Sequence, residues 1–147
     1  MSAQLSSNRF LHTMCRVEDL DRSLVFYCDG LGMTVNRRLD FQEARFSLIY
    51  LGYIDDNIGT VLELTWNWDD SEKYTHGSGY GHIGIGVDDL EATCARIRQV
   101  GGAVVREPGE MMNSGIEIAF ITDPDGYQIE LIKNPFPKPW MEGTTTL

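Results

Sequence analysis

The stretch "YGHIGIGVDDL" (80–90) places a lone histidine in an apolar run with glycine at every second position. A β-strand alternates its faces, so His82, Gly84 and Gly86 point one way while Ile83, Ile85 and Val87 point the other. The second set is core. The first is a histidine with open space beside it, where a ligand fits; a core histidine beside glycines that mark a bend is the plainer alternative. Two glutamates raise a parallel question. Glu63 in "TVLELTWN" and Glu130 in "YQIELIKN" are each flanked by leucine or isoleucine. A carboxylate in such a strand is expensive to bury unless it is paired or bound to a metal.

These residues recur in a repeat. Laying residues 12–37 over 82–107 at a constant offset of 70 sets His12 against His82, Asp19 against Asp89, Leu20 against Leu90, Gly32 against Gly102 and Val35 against Val105. Glu63 and Glu130 then fall in the last strand of each half, at an offset of 67. One histidine and one glutamate per half, His12, Glu63, His82 and Glu130, form a mixed nitrogen and oxygen donor set suited to a divalent metal. Each alone has an ordinary structural account, but their matched positions do not. The face continues from His12 to Arg16 and from Glu63 through Thr65 to Asn67. Arg16 offers a bidentate grip on a carboxylate, and Asn67 adds a donor and an acceptor. The alternatives are an ion pair of Arg16 with Glu18 or Asp19, and a turn role for Asn67.

The elements that position these groups follow the same duplication. "EDLDRSLVFYCDGLG" and "DDLEATCARIRQVGG" each put acids in a first helical turn and glycine past the last. Leu20, Leu24 and Tyr27, and then Leu90, Cys94 and Ile97, keep the spacing of core-facing stripes. Strand-like runs follow each helix, at "MTVNRRL", "RFSLIYLGYI" and "TVLELTWNW" and at "AVVRE", "IEIAFIT" and "YQIELIK", with "DPDGY" turning into the last. Each half is thus β-α-β-β-β, predicting one domain with module one over about 9–68 and module two over about 80–134. A polar linker joins the modules, and a proline-bearing tail (135–147) offers Phe136 and Trp140 for docking.

At 147 residues, 42% hydrophobic and 23% charged, the chain can bury a core without staples. Cys15, Cys28 and Cys94 are odd in number and sit in apolar runs, which predicts reduced thiols in a cytoplasmic protein. A net charge of −10 and the lack of a basic stripe argue against nucleic acid. "FSLIYLGYI" is too short to span a membrane, and "MSAQLSSNRF" lacks the apolar core of a secretion signal.

From "LHTMCRVEDLDRSLVFY" through "LGM", "LGY", "LELTWNW", "YGHIGIGVDDL" and "IRQVGG" to "DPDGYQIELI", the chain resembles the vicinal-oxygen-chelate superfamily and, within it, the glyoxalase I family. The resemblance implies an α+β fold of two tandem βαβββ modules, with curved mixed sheets forming an open barrel. It implies a homodimer with sites at the interface, His12 and Glu63 of one chain facing His82 and Glu130 of the other; a monomer closing one internal site is the alternative. The implied reaction is that of a lactoylglutathione lyase: the hemithioacetal of methylglyoxal and glutathione becomes S-D-lactoylglutathione by proton transfer through an enediolate on the metal. Glu130 would be the base and Glu63 the second candidate, with Arg16 and Asn67 at the γ-glutamyl end of glutathione. The compact form of the chain resembles members that use nickel or cobalt in preference to zinc.

Two departures bear on the thiol. Ser78 stands where many relatives are basic, four positions before His82, and "MMNSG" (111–115), with Met112, replaces a lysine-glycine-glycine segment expected before the sixth strand. The competing readings are a CoA-thioester epimerase or a dioxygenase on the same scaffold, and a non-catalytic protein that binds a thiol adduct or another small molecule.

Overall fold

In the computed structural model, residues 7–135 are described, so Phe136 and Trp140 lie outside the described residues. The strands are β1 (His12–Arg16), β2 (Thr34–Phe41), β3 (Phe46–Gly52), β4 (Val61–Asn67), β5 (His82–Val87), β6 (Ala103–Glu110), β7 (Glu117–Thr122) and β8 (Gln128–Lys133). Helix α1 (Leu20–Leu24) runs into a π-helical segment (Val25–Gly30), and α2 spans Leu90–Gln99. The "MMNSG" loop therefore precedes the seventh strand and not the sixth.

Both repeats build the same sheet. The orders are β1-β4-β3-β2 and β5-β8-β7-β6, with β1 parallel to β4, β5 parallel to β8, and the other pairs antiparallel. Parallel neighbours need a long crossover, and the helix with the two intervening strands supplies it in each half. The pairings of the described residues give two separate four-stranded mixed sheets, with no ladder closing a barrel. Each sheet has one apolar core face, Ile49, Leu51, Leu62 and Leu64 in the first and Ile85, Ala119, Ile121, Ile129 and Leu131 in the second. The opposite faces carry the histidines and glutamates.

Packing divides the chain differently from the repeat. One compact unit joins the residues up to Glu18 with Gly32–Glu72; the other joins Asp19–Leu31 with the residues from Lys73 onward. The helical stretch of the first repeat thus belongs to the second unit, where Phe26 and Tyr27 are fully buried. No helix among the described residues is long and apolar enough to cross a membrane.

The helix starts are matched: Asp19 accepts from the Arg22 amide at 3.0 Å and Asp89 from the Ala92 amide at 2.9 Å, which satisfies an orphan donor in each first turn. The helix ends are not matched. Helix α2 stays α-helical to Gln99, and its five-residue bond, from the Gly102 amide to the Ile97 carbonyl, lies past the helix. The first helix continues as the π-helical segment, closed by the Leu31 amide on the Phe26 carbonyl at 3.1 Å, and a π turn holds one residue more than an α turn. That extra residue resets the alignment. The offset between the repeats is 70 at Asp19 and Asp89 but 69 at the positive-φ glycines Gly32 and Gly101, and 69 again at Arg37 and Arg106 beside matched bulges. Gly32 therefore corresponds to Gly101, not Gly102, and Val35 to Val104. Ser23, Phe26 and Tyr27 face inward with Leu20, while Leu24 is only half-buried.

Candidate metal centre

Register places each histidine beside its glutamate. In the parallel β1–β4 pair Met14 lies opposite Glu63, which brings His12 alongside; in β5–β8 Gly84 lies opposite Glu130 and brings His82 alongside. His12 Nε2 stands 2.8 Å from Glu63 Oε2, and His82 Nε2 stands 3.1 Å from Glu130 Oε2. The histidine side chains are 37% and 38% exposed, the glutamates 9% and 13%. Both carboxylates are thus drawn into their sheets while both imidazoles remain accessible. Among the described residues no group of three or more histidine, cysteine, aspartate or glutamate side chains gathers to hold a metal. Each unit brings its own two sequence candidates together as a pair.

The donor types fit a divalent ion of intermediate softness, since each pair offers an imidazole nitrogen and a carboxylate oxygen. A second observation on the first sheet also points outward. Thr65, opposite Arg16 in β1, has a buried hydroxyl with no hydrogen-bond partner among the described residues. Arg16 is exposed on the same face, and Asn67 donates its amide to Asp70 at 3.0 Å. Asn67 therefore closes the turn after β4 as well as ending the polar row.

The third strand of each sheet contributes an aromatic ring that the sequence reading missed. Tyr50 of β3 lies opposite Glu63 and meets the His12 ring edge-on, with centroids 5.5 Å apart. At the matching place in β7, Phe120 lies opposite Glu130 and meets His82 edge-on at 5.1 Å. Tyr50 stands close enough to Glu63 for that carboxylate to act on its phenol. Burial and the Glu63 charge push its phenol above the ordinary range, opposed by Arg37, so it stays a proton donor at neutral pH. The Arg37 guanidinium lies over the Tyr50 ring, 4.5 Å from its centroid, and pairs with Asp56 at 2.7 Å. An aromatic at positions 50 and 120, at the same offset as the two histidines, was the available signal.

The glycines beside His82 serve different ends. A Cβ on Gly84 would meet only the Ile132 Cδ1 atom, at 3.8 Å, so space does adjoin Glu130 there. A Cβ on Gly86 would lie 2.6 Å from Asn134 Oδ1. The space expected at Gly86 is filled by that side chain, which donates to Asp88 at 3.0 Å. Ser78 lines a cavity of about 340 Å³ with Tyr80, Tyr127 and Gln128, the last on the Glu130 face of β8. Met112 is 91% exposed.

Residues 9–131 match the family model described as the glyoxalase/bleomycin resistance protein/dioxygenase superfamily. A probable lactoylglutathione lyase of Synechocystis is 53% identical over 123 residues, 84% of this chain and 93% of that protein. A lactoylglutathione lyase of Neisseria meningitidis is 52% identical over 125 residues, covering 85% and 90% of the two chains. The solved structure of the trypanothione-dependent glyoxalase I of Leishmania major superposes with a TM-score of 0.76 at 44% identity, over 93% of this chain and 92% of that one.

Proposed function

The chain belongs to the glyoxalase/bleomycin resistance protein/dioxygenase superfamily, and within it we propose that it is a lactoylglutathione lyase. It isomerises the hemithioacetal of methylglyoxal and glutathione to S-D-lactoylglutathione. The observation that carries this reading is the pair of matched His–Glu contacts, His12 with Glu63 and His82 with Glu130. Relatives at about half identity over most of the chain bear that name.

His12, Glu63, His82 and Glu130 hold one divalent metal. When bound, the metal supplies Lewis acidity to the two neighbouring oxygens of the substrate and lowers the cost of negative charge on them. Glu130 takes the proton from C1 of the hemithioacetal and returns it to C2, with Glu63 the second candidate. Arg16 and Asn67 hold the γ-glutamyl carboxylate and amine, and the Thr65 hydroxyl between them finds its partner there. Leu39, Leu48 and the stacked Phe41 and Phe46 rings share this face of the first sheet, an apolar floor that suits the methyl group.

Each sheet offers two ligands, so the active form in this reading is a homodimer in which His12 and Glu63 meet His82 and Glu130 of a second copy. The exposed Met14, Val35, Leu39 and Phe41 of the first sheet support burial against that copy. The compact chain favours nickel or cobalt over zinc, and three free cysteines suit the reducing cytoplasm. Metal-stripped protein, re-supplied separately with nickel, cobalt and zinc, tests the assignment through thioester formation from methylglyoxal and glutathione. Turnover with nickel or cobalt supports it. Stoichiometric metal binding with turnover by none of the three ions overturns the substrate. Trypanothione, the thiol named for the Leishmania major enzyme, is then tried, because Ser78 and Met112 offer no charge to a glycyl carboxylate.

A further inference from the structure

The two glutamates are chemically identical and occupy matched positions, yet the proposed reaction gives only one of them the role of base. We propose that Tyr50 makes them unequal: its hydroxyl ties Glu63 down as a fixed ligand, while Glu130, which faces Phe120 at the matching position, is left free to act as the base. This deepens the lyase reading and rests on it.

The difference is one oxygen atom in otherwise matched surroundings. Both rings stand edge-on to their histidines, at 5.5 and 5.1 Å, and both lie opposite their glutamates in register. Tyr50 can hydrogen-bond the carboxylate opposite it, whereas Phe120 cannot. The support behind the rings differs too. Arg37, opposite Tyr50, lies over the ring and is anchored by Asp56 at 2.7 Å, which fixes the direction of the hydroxyl. Arg106, the residue opposite Phe120, donates instead to the carbonyls of Glu110 and Ile118, at 3.1 and 3.4 Å. Glu130 is bordered by Phe120 and the half-open Gly84, so its carboxylate can swing without breaking a second hydrogen bond. A carboxylate bound by a hydroxyl is a better-oriented ligand and a poorer mobile base. Tyr50 is thus a positioning residue acting through Glu63.

Tyr50→Phe and Phe120→Tyr separate the two effects, with cobalt titration followed by visible absorbance and steady-state kinetics on the same samples. Tyr50→Phe weakens cobalt binding about tenfold, the low end for loss of a hydrogen bond to a ligand, with a smaller fall in kcat. Phe120→Tyr does the reverse: kcat falls about tenfold while cobalt affinity holds or tightens, because a second hydroxyl now tethers the base. Loss of packing alone would lower both together, and Phe120→Leu supplies that pattern for comparison. Cobalt affinity in Tyr50→Phe within about twofold of the parent overturns the proposal, even if Phe120→Tyr fails to fold. Failure of the unaltered protein to bind either cobalt or nickel overturns the lyase reading instead.

Discussion

Tyr27 donates its hydroxyl hydrogen to the buried Asp123 carboxylate across 2.7 Å. The other oxygen of Asp123 accepts the amides of Asp125 and Tyr127, both at 2.9 Å, which shapes the turn that launches β8 and its Glu130. Burial raises the Asp123 pKa, and the bonds from Tyr27 and Tyr127 only partly offset it. The folded chain therefore holds this proton over a window that begins in the ordinary aspartate range and extends upward to the folded pKa. Stability from this group is full below the unfolded pKa and is lost as pH rises through the folded one. Urea unfolding from about pH 4 to pH 8 should show that decline, and Asp123→Asn, which keeps the acceptor and removes the charge, should flatten it. Tyr27→Phe leaves a buried acceptor unpaired and should cost about 1–3 kcal/mol at neutral pH in the same measurement.

Gly84 and Gly86 separate function from packing on one strand. Gly86→Ala sets a methyl group against Asn134 Oδ1, so that exposed side chain must turn away and give up its bond to Asp88. This should destabilise by about 0.5–1.5 kcal/mol, read as a lower urea midpoint at unchanged slope. Gly84→Ala meets only Ile132 at 3.8 Å and should leave the midpoint within about 0.5 kcal/mol of the parent. Its methyl group still occupies the space beside Glu130, so kcat/KM should fall. A drop in stability as large as that of Gly86→Ala would mean that the space at Gly84 is needed by the fold.

Period and punctuation made most of the fold legible. Strand-like runs between turn signals located all eight strands, including β2, which is exposed along its whole length, and aspartate before an amphipathic run located both helix starts. The His–Glu pairs were legible because two copies of one pattern occupy matched positions. What the sequence hid depends on a single residue or on distant register. The π turn at Val25–Gly30 adds one residue with no marker in composition, which moved the match of Gly32 from Gly102 to Gly101. Gly86 resembled open space because the side chain that fills it, Asn134, lies 48 positions away. Tyr50 and Phe120 were hidden because the partner of a glutamate across an antiparallel pair depends on loop length, which alternation does not fix.

Arg16 and Asn67 extend the polar face of the first sheet, and their replacement distinguishes thiol binding from chemistry. Arg16→Ala should raise KM for the hemithioacetal about tenfold or more, the loss of a hydrogen bond to a charged group, with a smaller change in kcat. Asn67→Ala should raise KM less, since the native amide already bonds Asp70 at 3.0 Å. Thr65→Val tests the orphan hydroxyl. If that group meets substrate, KM rises; if it does not, stability rises instead, because a buried unpaired polar atom has been removed.

The sharpest test of the chemistry compares Glu130→Gln with Glu63→Gln. Glutamine keeps an oxygen donor and nearly the same shape but cannot accept a proton at working pH, so loss of metal and loss of base become separable. Glu130→Gln should still bind cobalt while kcat falls by about 10²–10⁴, the usual contribution of a positioned base. Glu63→Gln should lose more metal affinity and less kcat per bound metal, because its carboxylate is the more enclosed of the two, 9% exposed against 13%, and faces Tyr50 across the β3–β4 pair. Stripping the metal should abolish turnover in both variants and the parent, and re-supply should restore it only where Glu130 is intact. Equal losses in the two variants would show that either carboxylate can serve as the base, and full turnover by metal-loaded Glu130→Gln would remove Glu130 from the proton path.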